Sequence, residues 1–195
     1  MIPGPEARTS VATKSSSDPG AGRTLPPFRL LDPRRGTTLA ERDLAASPGV
    51  LVMVLCNHCP YVRHIEEGIL ACAREYGPRG ITILGVSAND PETHPEDAPE
   101  KLAERARVRD YPFPYLHDAD QSFVRALGAE CTPEFFLYDA GRRLYYHGRF
   151  DGATPGNREA VTGRELRAAM DALLAGRPAP VPQIPSVGCS IKWRA

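Results

Sequence analysis

The chain has 195 residues, 42% hydrophobic and 25% charged, which is room for one ordinary domain with short extensions. Its 24 Lys and Arg balance 24 Asp and Glu, so it lacks the net basic field that nucleic-acid binders carry. No apolar run approaches the roughly 18 residues needed to span a bilayer, which excludes a helical membrane protein.

Residues 1–23 are rich in Ser, Pro, Gly and Thr and read as a disordered tail, because they cannot bury enough surface to offset their ordering entropy. They carry no apolar core of about 7–15 residues like that of a secretory signal, so the expected location is the cytoplasm. Leu25–Leu31 reads as a short edge strand, where prolines are tolerated. Val50–Leu55 is a continuous apolar run, as in a strand buried on both faces. Val62, Ile65, Ile69 and Cys72 recur at helical spacing, with Arg63, Glu66 and Glu67 on the opposite face. Ile81–Val86 is a second buried strand, followed by a Pro- and acid-rich stretch, Pro91–Glu100, that reads as a solvated loop. A helix is predicted over Lys101–Val108 and a short one around Phe123, Val124 and Leu127. Glu134–Tyr138 and Arg143–Phe150 flank Asp139-Ala140-Gly141-Arg142 as a hairpin. Leu166, Met170, Leu173 and Leu174 mark a last amphipathic helix that ends at Gly176. Residues 177–195 contain four prolines and form an extended arm packed on a domain spanning 24–176. The order predicts an α/β fold, a central mixed sheet flanked by helices.

The strongest chemical signal is Cys56-Asn57-His58-Cys59-Pro60, directly after a buried strand and directly before an amphipathic helix. Two cysteines at i and i+3 in a first helical turn bring their sulfurs within bonding distance. The helix N-terminus offers unpaired N–H groups and a positive dipole end, which favour thiolate over thiol. Pro60 suits the first turn, where its missing N–H has no intrahelical acceptor. His58, as an imidazolium, would stabilise a neighbouring thiolate and make the disulfide more oxidising. Structural zinc would want a second close Cys or His pair, which the chain does not have. No cofactor and no metal site is predicted. The context suits thiol–disulfide exchange.

A strand, CxxC at a helix start and a later Thr132-Pro133 entering a hairpin together resemble the thioredoxin fold. The resemblance implies that Pro133 is cis and lies beside the redox pair. Leu25-Pro26-Pro27-Phe28-Arg29-Leu30, with Asp32 and Gly36, resembles the N-terminal β extension of redoxins. CNHCPYV (Cys56–Val62), YPFPYLHD (Tyr111–Asp118), CTPEFFLYD (Cys131–Asp139) and GCSIKW (Gly188–Trp193) resemble a bacterial peroxiredoxin-like subfamily of the alkyl hydroperoxide reductase and thiol-specific antioxidant superfamily. By this resemblance Cys56 is the attacking thiol, Cys59 the resolving thiol and Pro133 the cis-proline. Thr132 stands beside it. Partners would be protein or small-molecule disulfides and a thiol reductant, with no nucleic acid and no membrane. Two departures from ordinary thioredoxins, Leu55 for Trp and Pro60 for a basic residue, change the surface offered to a protein substrate.

A thiol peroxidase is the first alternative. Typical peroxiredoxins place Pro seven residues and Thr or Ser three residues before the reactive cysteine, whereas Gly49 and Met53 precede Cys56 at those distances. The hydroxyl that would steady a peroxide is missing there. A second alternative is copper delivery, which on this fold uses a cysteine pair with a distant His, here His147 or His117. Cys72 falls on an apolar helix face and reads as core. Cys131 and Cys189 are expected to serve as auxiliary thiols, most simply as a Cys131–Cys189 clasp, since an arm extended at roughly 3 Å per residue can cross the domain. Arg149 and Asp151 read as structural, and Phe135, Phe136, Tyr145 and Tyr146 as hairpin packing.

Overall fold

The computed structural model describes residues 13–17, 22–44 and 46–194. Its centre is a seven-stranded mixed sheet built from β2 (Arg29–Asp32), β3 (Thr37–Ala40), β4 (Gly49–Val54), β5 (Ile81–Ser87), β6 (Tyr115–His117), β8 (Glu134–Asp139) and β9 (Leu144–Gly148). The order across the sheet is β3-β2-β6-β5-β4-β8-β9, with β4, β5 and β6 parallel and the remaining pairs antiparallel. The helices are α1 (Pro60–Tyr76), α2 (Pro99–Val108), α3 (Ser122–Leu127) and α4 (Arg164–Leu174). Among the described residues no helix is long and apolar enough to cross a membrane.

The pleat of β4 divides the core. Leu51 and Met53 face α1, α2 and α4, where Ile65, Ile69, Leu102, Leu166 and Met170 pack on them. Val50, Val52 and Val54 face the other way, toward α3 and the N-terminal segment with Phe28 and Leu30. Every β4 residue is buried, which explains a run of six residues without a polar side chain. The buried end of β4 is thereby fixed on both faces, and the chain that leaves it carries the cysteines.

Several sequence-based expectations need revision. The strand expected at 25–31 is β2, one position in from the edge. Its partner β3, which the sequence pattern did not indicate, forms the edge through a turn in which Gly36 has φ +67°. Within the segment 1–23, Thr13–Ser15 form a strand, β1, where a disordered tail was predicted; residues 1–12 and 18–21 lie outside the described set. A partner strand supplies the backbone hydrogen bonds that its polar composition does not advertise. That partner is β10 (Val187–Ser190), inside the C-terminal arm, and β10 also pairs with β7 (Cys131–Thr132) to make a small second sheet in the order β1-β10-β7. The expected 139–142 turn is present, with Arg142 in the left-handed region (φ 61°). Asp139 makes this tolerable by accepting from the Arg142 and Arg143 backbone amides.

Candidate active site

Cys56 and Cys59 leave the end of β4, yet neither lies inside the first helical turn as the sequence suggested. Helix α1 begins at Pro60, and Cys59 is its N-cap with φ −68° and ψ 123°. The proline sets this boundary, because the residue before a proline is pushed out of helical geometry. The two sulfurs meet at one residue of β7. Cys56 Sγ lies 3.2 Å from Thr132 Oγ1, and Cys59 Sγ lies 3.2 Å from the Thr132 carbonyl oxygen. The Thr132–Pro133 peptide is cis.

The disulfide in the structure joins Cys59 to Cys189, across 130 residues of sequence and a Cα–Cα distance of 6.1 Å. Cys56, Cys72 and Cys131 are free thiols. The expected Cys131–Cys189 clasp is therefore absent, and strand register gives the reason. In the β7–β10 pair Cys189 stands opposite Thr132, while Cys131 stands opposite Ser190. Adjacent residues of a strand point to opposite faces, so Cys189 shares the Thr132 side with Cys59 and Cys131 turns away. The Cys131 sulfur instead sits 3.6 Å from Glu134 Oε2. Burial, then the Glu134 charge, pushes its thiol well above the ordinary value. Burial likewise raises the Cys72 thiol to about 12, consistent with an inert core residue.

His58 is held by a residue that sequence reasoning missed. Its Nδ1 is 2.6 Å from Asp97 Oδ2, and Asp97 lies in the stretch read as a solvated loop. The loop instead folds back onto Asn57 and His58, and Asp97 is 0% exposed. Asp97 also accepts from the Asn57 backbone N–H at 2.6 Å and from Asn89 Nδ2 at 2.9 Å. Burial opposes ionisation of this carboxyl, but those donors outweigh it and hold it below the ordinary carboxylate range. The hydrogen bond to Asp97, followed by interaction with Cys56, raises His58 to about 10. A single acidic residue in a Pro-rich loop gives no local signal for this role, because its partners are 39 and 40 residues away.

The signs make a test possible. A His raised from about 6.5 to about 10 contributes stability that is full below pH 6.5 and lost as pH climbs toward 10. Unfolding free energies from urea titrations are expected to fall across that window, and His58→Gln is expected to flatten the decline. Asp97, being depressed, adds stability that disappears only in acid, as pH drops through its lowered value.

The remaining candidate residues are placed elsewhere. His147 Nε2 is 2.6 Å from Glu134 Oε1 and its ring stacks on Phe136. Glu134 uses its other oxygen to accept from the Glu130 and Cys131 amides at 2.8 and 3.0 Å, which pins the turn that delivers Thr132 and Pro133. His117 is buried in β6, and burial lowers its pKa. Neither histidine joins the cysteines. Among the described residues the one gathering of Cys, His and acidic atoms, within 4.8 Å of one another, is Cys56, His58 and Asp97, and Asp97 is already saturated with hydrogen bonds. With Cys59 consumed in a disulfide, nothing in this arrangement favours the copper reading. Arg149 pairs with Glu165, and Asp151 accepts from three backbone amides, both as structural elements. Beside Pro133 the surface dips into a small depression of about 50 Å³ lined by Tyr61, Ile65, Phe135 and Phe150, and also by Arg149 and Asp151.

Comparison with known proteins places this geometry. Residues 21–147 match the model of the AhpC/TSA family. An uncharacterized conserved protein from Geobacillus kaustophilus is similar at 39% identity and TM-score 0.92, covering 95% of this chain and 98% of its own. A hypothetical protein from Sinorhizobium meliloti is similar at 42% identity and TM-score 0.90, covering 93% of this chain and 98% of its own. A peroxidoxin from Mycobacterium tuberculosis shares the fold at 19% identity and TM-score 0.58, covering 80% of this chain and 96% of its own. A search of curated proteins returned no match. Strand order, helix placement and the matched span agree: this thioredoxin-like chain belongs to the AhpC/TSA family.

Proposed function

We propose that the protein is a thiol–disulfide oxidoreductase in which Cys56, Cys59 and Cys189 form one redox centre. The observation that carries this reading is the convergence of Cys56 and Cys59 on Thr132, with Cys189 opposite Thr132 and bonded to Cys59. In the reduced centre Cys56, attacking as its thiolate, displaces one sulfur of a substrate disulfide, forms a mixed disulfide and releases the first substrate thiolate. Cys59 then attacks the Cys56 sulfur, expels the second substrate thiolate and leaves a Cys56–Cys59 bridge. Cys189 next attacks Cys59, giving the Cys59–Cys189 bridge and returning Cys56 as a free thiol. The substrate gains two electrons, the centre loses two, and an external thiol reductant restores it.

Cys56, Cys59 and Cys189 are all buried, so exchange with an outside partner requires the structure around them to open. Protein or small-molecule disulfides in the cytoplasm are the proposed substrates. The peroxidase alternative draws one point of support from the Thr132 hydroxyl beside Cys56, while the positions three and seven residues before Cys56 lie inside β4 and carry no hydroxyl.

The test compares reduction of an aromatic model disulfide with consumption of hydrogen peroxide, both driven by a dithiol. Disulfide reduction is expected for the wild type and at least about 100-fold less for Cys56→Ser, with Cys59→Ser accumulating substrate on Cys56. Peroxide turnover that survives in Cys59→Ser without disulfide reduction would replace this reading by the peroxidase.

A further inference from the structure

The relay of sulfurs leaves Asp97 without a part, although this carboxylate is fully buried and lies within 4.8 Å of Cys56 Sγ. We propose that Asp97 is a positioning residue that fixes His58 beside the Cys56 sulfur, and that Asn89 makes this hold depend on the docked C-terminal arm. The inference rests on Cys56 being the attacking thiol.

The geometry forms a continuous chain of contacts. Asp97 Oδ2 takes both His58 Nδ1 at 2.6 Å and Asn89 Nδ2 at 2.9 Å, while Asp97 Oδ1 takes the Asn57 amide at 2.6 Å. A ring nitrogen of His58 and Asp97 both lie within 4.8 Å of Cys56 Sγ. Asn89, itself buried, spends its amide oxygen on the Lys192 backbone N–H at 2.8 Å. Asn57 is clamped as well, donating to the carbonyls of Glu96 and Lys101 at 2.8 and 3.1 Å. The loop that carries Asp97 is thus tied down at both ends, and the arm that carries Cys189 is tied to the loop.

A carboxylate bonded to one nitrogen of an imidazole orients the ring and keeps it charged, the arrangement by which an outer group tunes an inner one. The other charged or titratable groups near this array are few. His94 stacks 4.5 Å from the His58 ring; burial, then the His58 charge and Lys192, lowers its pKa, so it opposes rather than supplies the positive charge. Glu96 acts on His94, Arg63 donates to the Asn57 carbonyl, and Tyr115 lies within electrostatic reach of Cys56 and Asp97. None of these contacts His58 in place of Asp97.

The link through Asn89 gives a physical route from the arm to the thiol. With Lys192 docked, the Asn89 oxygen is engaged and its amide points at Asp97. When the arm leaves, Asn89 loses that constraint, and the grip of Asp97 on His58 loosens. The arm therefore influences the reactivity of Cys56 as well as supplying Cys189.

Two readouts on the full chain test this. The His58 ring titration, followed by NMR, is expected to fall by two or more pH units in Asp97→Asn and to be largely rescued by Asp97→Glu. The iodoacetamide alkylation rate of Cys56 at neutral pH, mapped by mass spectrometry in reduced protein, is expected to drop about tenfold in Asp97→Asn, because the His58 ring is no longer held beside the sulfur. The His58→Gln/Asp97→Asn double variant is expected to match His58→Gln alone, because Asp97 acts through the ring. Asn89→Ala is expected to slow alkylation in the same direction and to accelerate hydrogen exchange at the Lys192 amide. An unchanged His58 titration or an unchanged Cys56 rate in Asp97→Asn overturns the positioning role. If Asn89→Ala loosens Lys192 without touching Cys56, the link to the arm falls. A wild type that fails to reduce the aromatic model disulfide removes the oxidoreductase reading, whereas an unchanged His58 titration in Asp97→Asn overturns the positioning role alone.

Discussion

In Cys189→Ser, oxidised protein is expected to carry a Cys56–Cys59 bridge in place of Cys59–Cys189, at close to full occupancy by peptide mapping. Cys59 has two possible partners, and the choice between them is one of geometry. Cys189 is held opposite Thr132 by strand pairing, so its local concentration next to Cys59 is fixed by the fold. Cys56 is placed against the same threonine by the end of β4. Removing the arm's thiol leaves the second arrangement as the internal disulfide available to Cys59, and Cys56 then ceases to be free. The same variant should lose about 2–5 kcal/mol of stability, since the native bridge closes a loop of 130 residues. If Cys189→Ser instead leaves Cys56 and Cys59 as two free thiols under oxidising conditions, the Cys59–Cys189 bridge is a staple and Cys56 acts alone.

The second large effect is expected from Gly188→Ala. A Cβ at this position would overlap the carbonyl oxygen of Thr132, lie 2.6 Å from its carbonyl carbon and come within 3.1 Å of Pro133 N. All of these are backbone atoms held by the β7 turn, so no flexible side chain can swing away. Overpacking of this kind costs roughly 1–3 kcal/mol, and unseating β10 adds the loss of its disulfide. Together they amount to about 3 kcal/mol or more. For a chain of this size Tm should fall by about 6–12 °C, and the Cys59–Cys189 bridge should be largely lost from oxidised protein. A Gly188→Ala protein with unchanged Tm and an intact bridge would mean that the arm packs with more freedom than its contacts with Thr132 imply.

The local pattern of the sequence carried the sheet centre and the main helices. Val50–Leu55 and Ile81–Val86 are apolar without interruption because both sheet faces are covered, and α1 repeats apolar residues on one side because only that side is buried. What could not be read depends on partners distant along the chain. Thr13–Ser15 is polar and exposed, and becomes a strand only because β10 lies beside it. The identity of the Cys189 partner turns on a register of two residues at β7, which no composition encodes. Asp97 looked like a solvated acid because every donor that surrounds it comes from Asn57, His58 or Asn89 rather than from its immediate neighbours. The cysteines themselves were conspicuous; the atoms that govern them were not.

The small sheet at the arm has one further consequence, for the behaviour of shortened chains. β10 is bordered on one side by β7 and on the other by Thr13–Ser15, with Ser16 and Ser186 exchanging hydrogen bonds where the two segments enter. Trimming the first sixteen residues would strip that outer rim and present a row of bare amides and carbonyls to any neighbouring molecule. Such a row pairs with other chains more readily than the short, polar Thr13–Ser15 edge that carries Lys14, so a shortened chain is expected to self-associate more than the full one.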